Sequence, residues 1–402
     1  MSAQYPGGLI SKTPPTVVGP TNGEGGSAPG VWTLDQAMGY EKLGLWPKPL
    51  IPKELWSWGY NNNGQLCLGN QTYYSSPKQV GTLTNWSSLT CGETFTTATK
   101  TDGTLWSCGQ GNAGQLGLGN SAYYSSPKQV GSLTTWSKVS DQWYATIAIK
   151  TDGTLWSWGM NANGRLGLGD VTNRSSPTQV GALTTWSKIT SAGAASLAIK
   201  TDGTLWSWGR NNLGQLGLGD ITDRSSPVQV GALTTWLSIA AGYTHFITTK
   251  TDGTLWSWGN NTNGQLGLGN ITNYSSPKQV GALTNWLTIA GGGYFSLSIK
   301  TDGTLWSWGR NNFGQLGLGN VTNYSSPKQV GALTTWLSIA AGYTHFITTK
   351  TDGTLWSWGR NNRGQLGLGN TTSYSSPKQV GALTTWSKIG TGRDFTIATK
   401  SS

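Results

Sequence analysis

The side chains most often used in catalysis are few in this chain, and their positions follow a repeat. The two histidines among 402 residues are His245 and His345, which occupy equivalent places in nearly identical segments. Acid–base chemistry needs its partners within hydrogen-bond reach in one asymmetric site. Two copies of one local sequence do not provide such a site. The pattern therefore predicts loop histidines that were duplicated together with their repeat.

The remaining candidate groups also fit structural roles better than chemical ones. Cys67, Cys91 and Cys108 stand where other copies carry Gly, Ala or Thr, or Trp, and no CxxC spacing occurs. This pattern predicts isolated thiols and no metal site. Half of the aspartates, six of twelve, belong to TDG turns, where their side chains support the turn. The GQLGLG segment is not followed by a helix or a lysine, as a phosphate-binding loop would be. We expect a non-enzymatic protein without a cofactor.

Charge and hydropathy narrow the classes of partner. The formal net charge is +11, but the basic residues are spread at fixed spacing and form no run of like charges. This distribution argues against nucleic-acid binding. No apolar stretch approaches the ~18 residues that a membrane span needs, so no membrane insertion is expected. The N-terminus lacks the apolar segment of a signal peptide.

A repeat of 50 residues accounts for almost the whole chain beyond residue 52. The segment LWSWG, or LWSCG, begins at seven positions without insertion or deletion: Leu55, Leu105, Leu155, Leu205, Leu255, Leu305 and Leu355. Each copy contains four short β-rich runs separated by Gly, Asn, Asp and Pro. Four strands per repeat are typical of a propeller blade. The sequence predicts an all-β fold, a seven-bladed β-propeller of 50-residue four-stranded repeats over residues 53–402.

The chain ends predict how the ring closes. A TDG turn joins the last strand of each repeat to the next LWSWG strand, and Asp-Gly favours hairpins. Phe395–Lys400 has no such turn after it, and Leu55–Gly59 has none before it. Pairing of these two strands would remove both exposed edges. We therefore expect a propeller closed by its N- and C-terminal strands.

The repeat motif resembles that of a known family. LWSWGxNxxGQLGLG followed by SSPxQV is similar to the regulator-of-chromosome-condensation repeat, and the resemblance covers about Lys53 to Ser402. It implies a seven-bladed propeller. Members of that family include guanine-nucleotide exchange factors, a plant ultraviolet-B photoreceptor and a β-lactamase inhibitory protein, so fold alone does not give function. The photoreceptor's Gly-Trp-Arg-His-Thr motif is absent, and so is any insertion that would act as an exchange factor's wedge.

Comparison of the copies indicates a working face. Residues after the LWSWG strand and before the last strand of the repeat vary, whereas the TDG and ALTTW turns are nearly constant. Strand alternation places the variable segments on one face, which we call the variable face. Its Arg and aromatic content favours binding over drift in solvent-facing loops. The predicted binding residues are Tyr60, Trp143, Tyr144, Arg210, Tyr243, His245, Arg310, Phe313, Arg360, Arg363 and Arg393.

Residues 1–52 differ from the repeats and predict an anchor arm. The first part is rich in Gly, Pro, Ser and Thr, and a capping box at Thr33 and Gln36 predicts a short helix near 34–43. The apolar side chains that would dock are Trp32, Leu34, Met38, Leu43 and Trp46. The segment SAPGVWTLDQAMGYEKLGLWP is similar to N-terminal segments of virion proteins of marine tailed phages.

Together these features predict a non-enzymatic binding scaffold. The main hypothesis is a phage virion structural protein, either a tail appendage such as a tail fibre or a capsid decoration. Its arm would contact other virion proteins, and its variable face would contact a host surface protein or glycan. The alternative is a cytoplasmic protein–protein interaction propeller, such as a small-GTPase regulator or an enzyme inhibitor. Assembly into a homo-oligomer is compatible with either hypothesis.

Overall fold

The computed structural model describes residues 52–401, and the compact unit Glu54–Lys400 carries the repeats. The predicted helix near 34–43 and the anchor residues Trp32, Leu34, Met38, Leu43 and Trp46 lie outside the described residues. Within the described part, no helix is long and apolar enough to cross a membrane. The only helical element there is a single 3₁₀ turn, Ala162–Gly164.

The described chain forms seven four-stranded sheets, so the predicted propeller of seven blades is confirmed. The innermost strands of the blades are β3 (Trp86–Cys91), β7 (Trp136–Asp141), β11 (Trp186–Ser191), β15 (Trp236–Ala241), β19 (Trp286–Gly291), β23 (Trp336–Ala341) and β27 (Trp386–Thr391). The second strands are β4 (Phe95–Lys100), β8 (Ala145–Lys150), β12 (Ala195–Lys200), β16 (His245–Lys250), β20 (Phe295–Lys300), β24 (His345–Lys350) and β28 (Phe395–Ser401).

The two outer columns carry the most recognisable motifs. The third strands, which contain LWSWG, are β1 (Lys53–Gly59), β5 (Leu105–Gly109), β9 (Leu155–Gly159), β13 (Leu205–Gly209), β17 (Leu255–Gly259), β21 (Leu305–Gly309) and β25 (Leu355–Gly359). The outermost strands are β2 (Tyr74–Gln79), β6 (Tyr124–Gln129), β10 (Arg174–Gln179), β14 (Arg224–Gln229), β18 (Tyr274–Gln279), β22 (Tyr324–Gln329) and β26 (Tyr374–Gln379). Each outermost strand begins one residue before the SSPxQV motif.

Each blade combines halves of two sequence repeats. Blade 1, for example, has the order β3-β4-β5-β6, in which β3 and β4 come from the first copy of the repeat and β5 and β6 from the second. Blades 2 to 6 follow in the same way. This arrangement follows from the TDG hairpins, which pair the last strand of one repeat with the LWSWG strand of the next. The TDG turn is a hairpin inside a blade, whereas the longer links between outermost and innermost strands join neighbouring blades.

Blade 7 is built from both ends of the described chain. Its strand order is β2-β1-β28-β27, so the joint between β1 and β28 has no covalent turn. The Lys400 ammonium lies 3.2 Å from the Glu54 carboxylate across this joint, and both side chains are less than one-fifth exposed. Glu54 also accepts a 2.9 Å hydrogen bond from the Trp56 indole. In the other blades a threonine of the TDGT turn accepts the equivalent indole bond, as Thr104 does from Trp106.

Tryptophan holds neighbouring blades together. Trp158 is fully buried, and its indole N–H donates to the backbone carbonyl of Gln115 at 3.0 Å. A Cβ placed on Gly117 would come within 2.7 Å of that indole nitrogen. Only glycine therefore fits against the tryptophan without a shift. The same pairing of a glycine with a tryptophan in the next blade recurs around the ring.

One place in the ring replaces this pair. Cys67 stands at the glycine position and Cys108 at the tryptophan position, and the two form a disulfide with their Cα atoms 5.6 Å apart. The prediction of isolated thiols is thus wrong for these two residues, although Cys91 is free. Loss of the bulky indole makes room for a side chain at residue 67. The disulfide links blade 7 to blade 1.

Candidate functional site

Backbone hydrogen bonds bring the variable segments together. The N–H of Tyr60 donates to Asp394 O at 3.0 Å, and the N–H of Arg210 donates to Ala194 O at 2.9 Å. The same bond recurs in every blade. It fixes the loop after the third strand against the turn between the first and second strands. The variable segments therefore share one face.

The nearly constant turns meet on the opposite face. The N–H of Trp136 donates to the carbonyl of Gly103 at 3.2 Å, and the N–H of Thr101 donates to that of Asn85 at 2.9 Å. The TDG and ALTTW turns are thereby locked together. We call this the TDG face. Its uniformity follows from these repeated contacts.

Aromatic rings meet where the variable face opens onto the central channel. The channel mouth holds a cavity of about 140 Å³, lined by equivalent residues of all seven blades. Trp143 and Tyr243 come from blades 2 and 4 and stack with their ring centroids 4.0 Å apart. Tyr343 packs edge-on against Tyr243 at 5.7 Å, and Tyr294 packs against both tyrosines. These four rings form a continuous aromatic cluster across blades 2, 4, 5 and 6.

An ion pair completes this rim. The Arg393 guanidinium donates to the carboxylate of Glu93 across the junction of blades 7 and 1. Arg393 also lies over the ring of Tyr343, 5.4 Å from its centroid. Because Glu93 is buried, its ion pair with Arg393 is a structural contact. Burial, and next the proximity of Glu93, raise the pKa of Tyr144 to about 12.

A second group of arginines lies over aromatic rings on blades 5 to 7. The Arg310 guanidinium is 5.8 Å from the centroid of the Tyr294 ring, and that of Arg360 is 5.0 Å from the Phe313 ring. Arg363 lies between Tyr60 and Tyr73, at 5.3 and 5.5 Å. These contacts hold the guanidinium groups by cation–π attraction while leaving their N–H groups available. We call Arg310, Phe313, Arg360 and Arg363 the arginine sector.

Asp394 balances part of this positive charge. Burial raises the pKa of its carboxyl, and the nearby Arg360, Arg393 and Arg363 oppose that rise. An oxygen of the Asp394 carboxylate lies 3.8 Å from Arg393 Nε. Four guanidinium groups and two carboxylates therefore occupy this part of the variable face. The surface retains an excess of positive charge.

His245 does not belong to the binding surface, contrary to the sequence prediction. It is the first residue of strand β16 and is fully buried. Its Nε2 forms a 2.9 Å hydrogen bond with the Ser296 hydroxyl. Burial lowers the pKa of His245 to about 3, so the ring is neutral at physiological pH. Its counterparts in other repeats are Phe95 and Ala145, which shows that the position belongs to the core.

The other predicted residues lie at the variable face, but in two places. Trp143, Tyr144, Tyr243 and Arg210 border a cavity of about 210 Å³ on blades 2 to 4. Tyr60, Arg310, Phe313, Arg360 and Arg363 lie on blades 5 to 7, and Arg393 lies between the two groups at the channel mouth.

Sequence reasoning missed several residues of this face. Glu93, Tyr294 and Tyr343 belong to the variable columns but were not singled out, because their contacts cross between distant repeats. Arg165 had a clear signal: it replaces the glutamine of GQLGLG, which all six other copies retain. Arg165 lines the same cavity as Arg210 and is only 6% exposed.

The titratable groups of the channel do not form a metal centre. Within residues 52–401, no three His, Cys, Asp or Glu side chains are placed to hold a metal ion. Asp141 is buried at the channel wall, where it accepts hydrogen bonds from Thr97 at 2.9 Å and Thr146 at 3.0 Å. Burial raises the pKa of Asp141 to about 7, although these hydrogen bonds oppose the shift. Its partners are hydroxyl groups of neighbouring strands, which is a structural arrangement.

Comparison with known families matches the whole repeat region. The model of the RCC1-like domain matches residues 181–402. The model of the regulator of chromosome condensation (RCC1) repeat matches residues 54–99, 102–149 and 152–199. No curated protein matches the chain.

Solved structures share the fold. Human WBSCR16 is similar with a TM-score of 0.79 and 21% identity, over 87% of this chain and 99% of its own. Prp20p from Saccharomyces cerevisiae has the same score and identity, over 87% and 92% of the two chains, and its structure was described with its binding to Gsp1p and histones. The complex of Kap60 with yeast RCC1 (Prp20) matches with a TM-score of 0.77 and 20% identity, over 87% and 89%. At these identities the likeness concerns the fold.

Proposed function

Since the chain belongs to the RCC1-like propeller family, we propose that it is a protein-binding scaffold and that its variable face is the contact surface. The observation that carries this proposal is the arginine sector with its neighbouring aromatic cluster. Arginine and aromatic side chains are the residue types that contribute most to protein interfaces. Here they are gathered on one face of a rigid ring, whereas the TDG face repeats one set of turns.

The charge of the arginine sector defines the partner's chemistry. Arg310, Arg360 and Arg363 are fixed over aromatic rings and keep planar donor groups for a carboxylate. We propose a protein partner with an acidic surface. The relatives support a protein partner in general but not its charge, since Prp20p was described with Gsp1p and histones and yeast RCC1 was solved with Kap60.

The virion hypothesis gains no support from these comparisons. It depends on residues 1–52, of which nearly all lie outside the described part, and on a resemblance that no matched family shares. The protein-interaction alternative is the better supported function. A role as a tail or capsid component, with host glycan contacts, stays a prediction, and mass spectrometry of purified phage particles would test it. The absence of enzymatic activity likewise stays a prediction.

A capture experiment with matched charge changes tests the proposed surface. The full chain and its Arg360→Ala/Arg363→Ala variant would be immobilised, and proteins retained from the source lysate would be quantified. We expect the variant to retain less of the specific partner than the parent does. The purified partner should bind the variant at least ~1–2 kcal/mol more weakly than it binds the parent, which is the range of a modest hot spot. Binding of the parent should also weaken with salt, because ions screen exposed charges.

The control variant removes the same charge elsewhere. Lys328 and Lys378 are exposed on the outermost strands β22 and β26, so Lys328→Ala/Lys378→Ala should keep the partner. Lysines beside the TDG turn are poorer controls. Lys200 lies 3.6 Å from the centroid of the Trp206 ring, and Lys250 lies 3.7 Å from that of Trp256, so both contribute to packing. Equal loss in both double variants would show general charge attraction and overturn the proposed surface.

A further inference from the structure

Arg165 is a buried cation, and no residue between 52 and 401 offers it a counter-ion. The residue is 6% exposed, and its guanidinium donates to the backbone carbonyls of Ala162 at 3.0 Å and Gly193 at 3.4 Å. Among the described residues no carboxylate forms an ion pair with it. Burial, and next the repulsion from the Arg210 charge, lower the pKa of Arg165 to about 10.

The local backbone also departs from the other repeats to accommodate this arginine. Elsewhere the glutamine side chain accepts a hydrogen bond from the N–H two residues earlier, as Gln215 does from Leu213 at 2.8 Å. Arg165 cannot accept such a bond. The segment instead forms the 3₁₀ turn, with Asn163 at a φ of +64°. Left-handed backbone is strained for a residue other than glycine, although asparagine tolerates it better than most side chains do.

An uncompensated buried charge destabilises a fold. Both costs disappear if glutamine stands at position 165, as in every other copy. The presence of arginine at this position therefore indicates a role that glutamine cannot fill. The cavity of about 210 Å³ beside it indicates a ligand.

The walls of this cavity combine positive charge with apolar surface. Arg165 and Arg210 supply the charge, and Trp143, Tyr243 and Met160 supply rings and a flexible thioether. None of the described residues that line this cavity carries a carboxylate, and Glu93 at the channel mouth is already paired with Arg393. A guanidinium fork matches the two oxygens of a carboxylate, while the aromatic and Met side chains match an apolar body.

We propose that this cavity, between blades 2 and 4 of the variable face, binds a carboxylate carried on an apolar body, with Arg165 as its buried counter-ion and Arg210 at its entrance. The inference deepens the proposed function, because an acidic side chain of the protein partner has this chemistry. A free aromatic acid has it too. The cavity is separate from the arginine sector, so each can be tested without the other.

Ligand-observed NMR on the full chain at low ionic strength tests the cavity directly. Phenylacetate is the free-acid probe and phenylacetamide its neutral counterpart. The peptide Ac-Gly-Glu-Gly-NH₂, with its Gln counterpart, represents a protein side chain. We expect the carboxylate probes to bind and the amides to bind at least tenfold more weakly. Stronger binding of the peptide or of phenylacetate identifies the source of the natural carboxylate.

The decisive variant is Arg165→Gln, which restores the residue of the other six repeats. We expect it to fold with a higher melting temperature than the parent and to bind phenylacetate at least tenfold more weakly. Lys328→Gln also replaces one positively charged side chain by glutamine, but on an outer strand. This variant should bind phenylacetate as the parent does. The proposal is overturned if Arg165→Gln keeps the affinity, or if acid and amide bind the parent equally. Either result would leave partner capture through Arg360 and Arg363 unaffected, so the two proposals fail separately.

Discussion

At the residue scale, the titratable groups that looked chemical are parts of the core. His245 and His345 fill a position that holds phenylalanine in three other blades. A Cβ on Gly242 would lie 2.0 Å from the His245 ring, as a Cβ on Gly92 would from the Phe95 ring. The histidine ring thus occupies the space that phenylalanine occupies elsewhere. Its burial makes folding sensitive to pH.

We expect the two histidines to destabilise the propeller as the pH falls. Burial lowers the pKa of both rings from 6.5 to about 3. Between these values the unfolded chain binds protons that the folded chain does not, so their stabilising contribution is complete above 6.5 and decreases towards pH 3. As the pH falls below 6.5, the parent should lose up to ~1.4 kcal/mol of stability per histidine for each pH unit, and replacement of both histidines by Phe should abolish this loss.

Urea unfolding of the parent and the His245→Phe/His345→Phe variant at pH 7, 6, 5 and 4 measures this effect. Asp141 has the opposite sign. Burial raises the pKa of its carboxyl from 3.8 to about 7, so its contribution is complete below 3.8 and declines as the pH rises to 7. Because both proteins contain Asp141, their difference isolates the histidines. A difference that does not change with pH would contradict the prediction.

At the element scale, each blade is fitted to the next by complementary pairs of positions. Gly117 lies against Trp158, and Cys67 against Cys108, so the partners change together. A second pair lies within a blade, in the turn between its first and second strands: glycine at residue 92 accompanies Phe95, whereas Gln142 accompanies Ala145. Small and large side chains alternate because the space between blades is constant.

The cysteine pair gives a test of this complementarity. Reduction of the disulfide should lower the free energy of unfolding of the parent by about 2–4 kcal/mol. The double variant Cys67→Gly/Cys108→Trp restores the common pair, so we expect it to fold and to be insensitive to reductant. Cys108→Trp alone should be much less stable, because the indole meets the Cys67 side chain. Thermal unfolding with and without dithiothreitol measures all three, and a stable single variant would refute the pairing.

At the scale of the whole molecule, the ring depends on the one joint without a covalent turn. Strands β1 and β28 are neighbours in blade 7, and the Glu54–Lys400 ion pair spans them. Every other second and third strand is joined by a TDG hairpin. The joint converts a row of blades into a closed ring, so that neither β1 nor β28 is left as an exposed edge.

Deletion of residues 395–402 removes β28 and should therefore destabilise the entire ring. We expect a large drop in melting temperature and a loss of cooperativity, measured by calorimetry. The matched truncation starts at Lys53 and lacks the predicted arm. It should fold with the melting temperature of the full chain, as expected if residues 1–52 are an anchor. An unchanged midpoint after the C-terminal deletion would argue against closure as the source of stability.

The sequence by itself determined the architecture, because its information is local and repeated. The spacing of LWSWG set the number of blades, the Asp-Gly turns set the hairpins, and the two strands without turns indicated where the ring closes. These features depend on short-range backbone chemistry that each repeat restates. The variation between copies also identified one face, since alternating strand direction places the variable loops together.

Only the tertiary structure decided which residues meet across blades. The stack of Trp143 on Tyr243, the Arg393–Glu93 ion pair and the Cys67–Cys108 disulfide each join residues from different repeats. A linear pattern does not show whether His245 points to solvent or into the core, because that depends on the half-repeat offset of the blades. For the same reason Arg165, a single departure in a constant column, acquires meaning only from its burial beside Arg210.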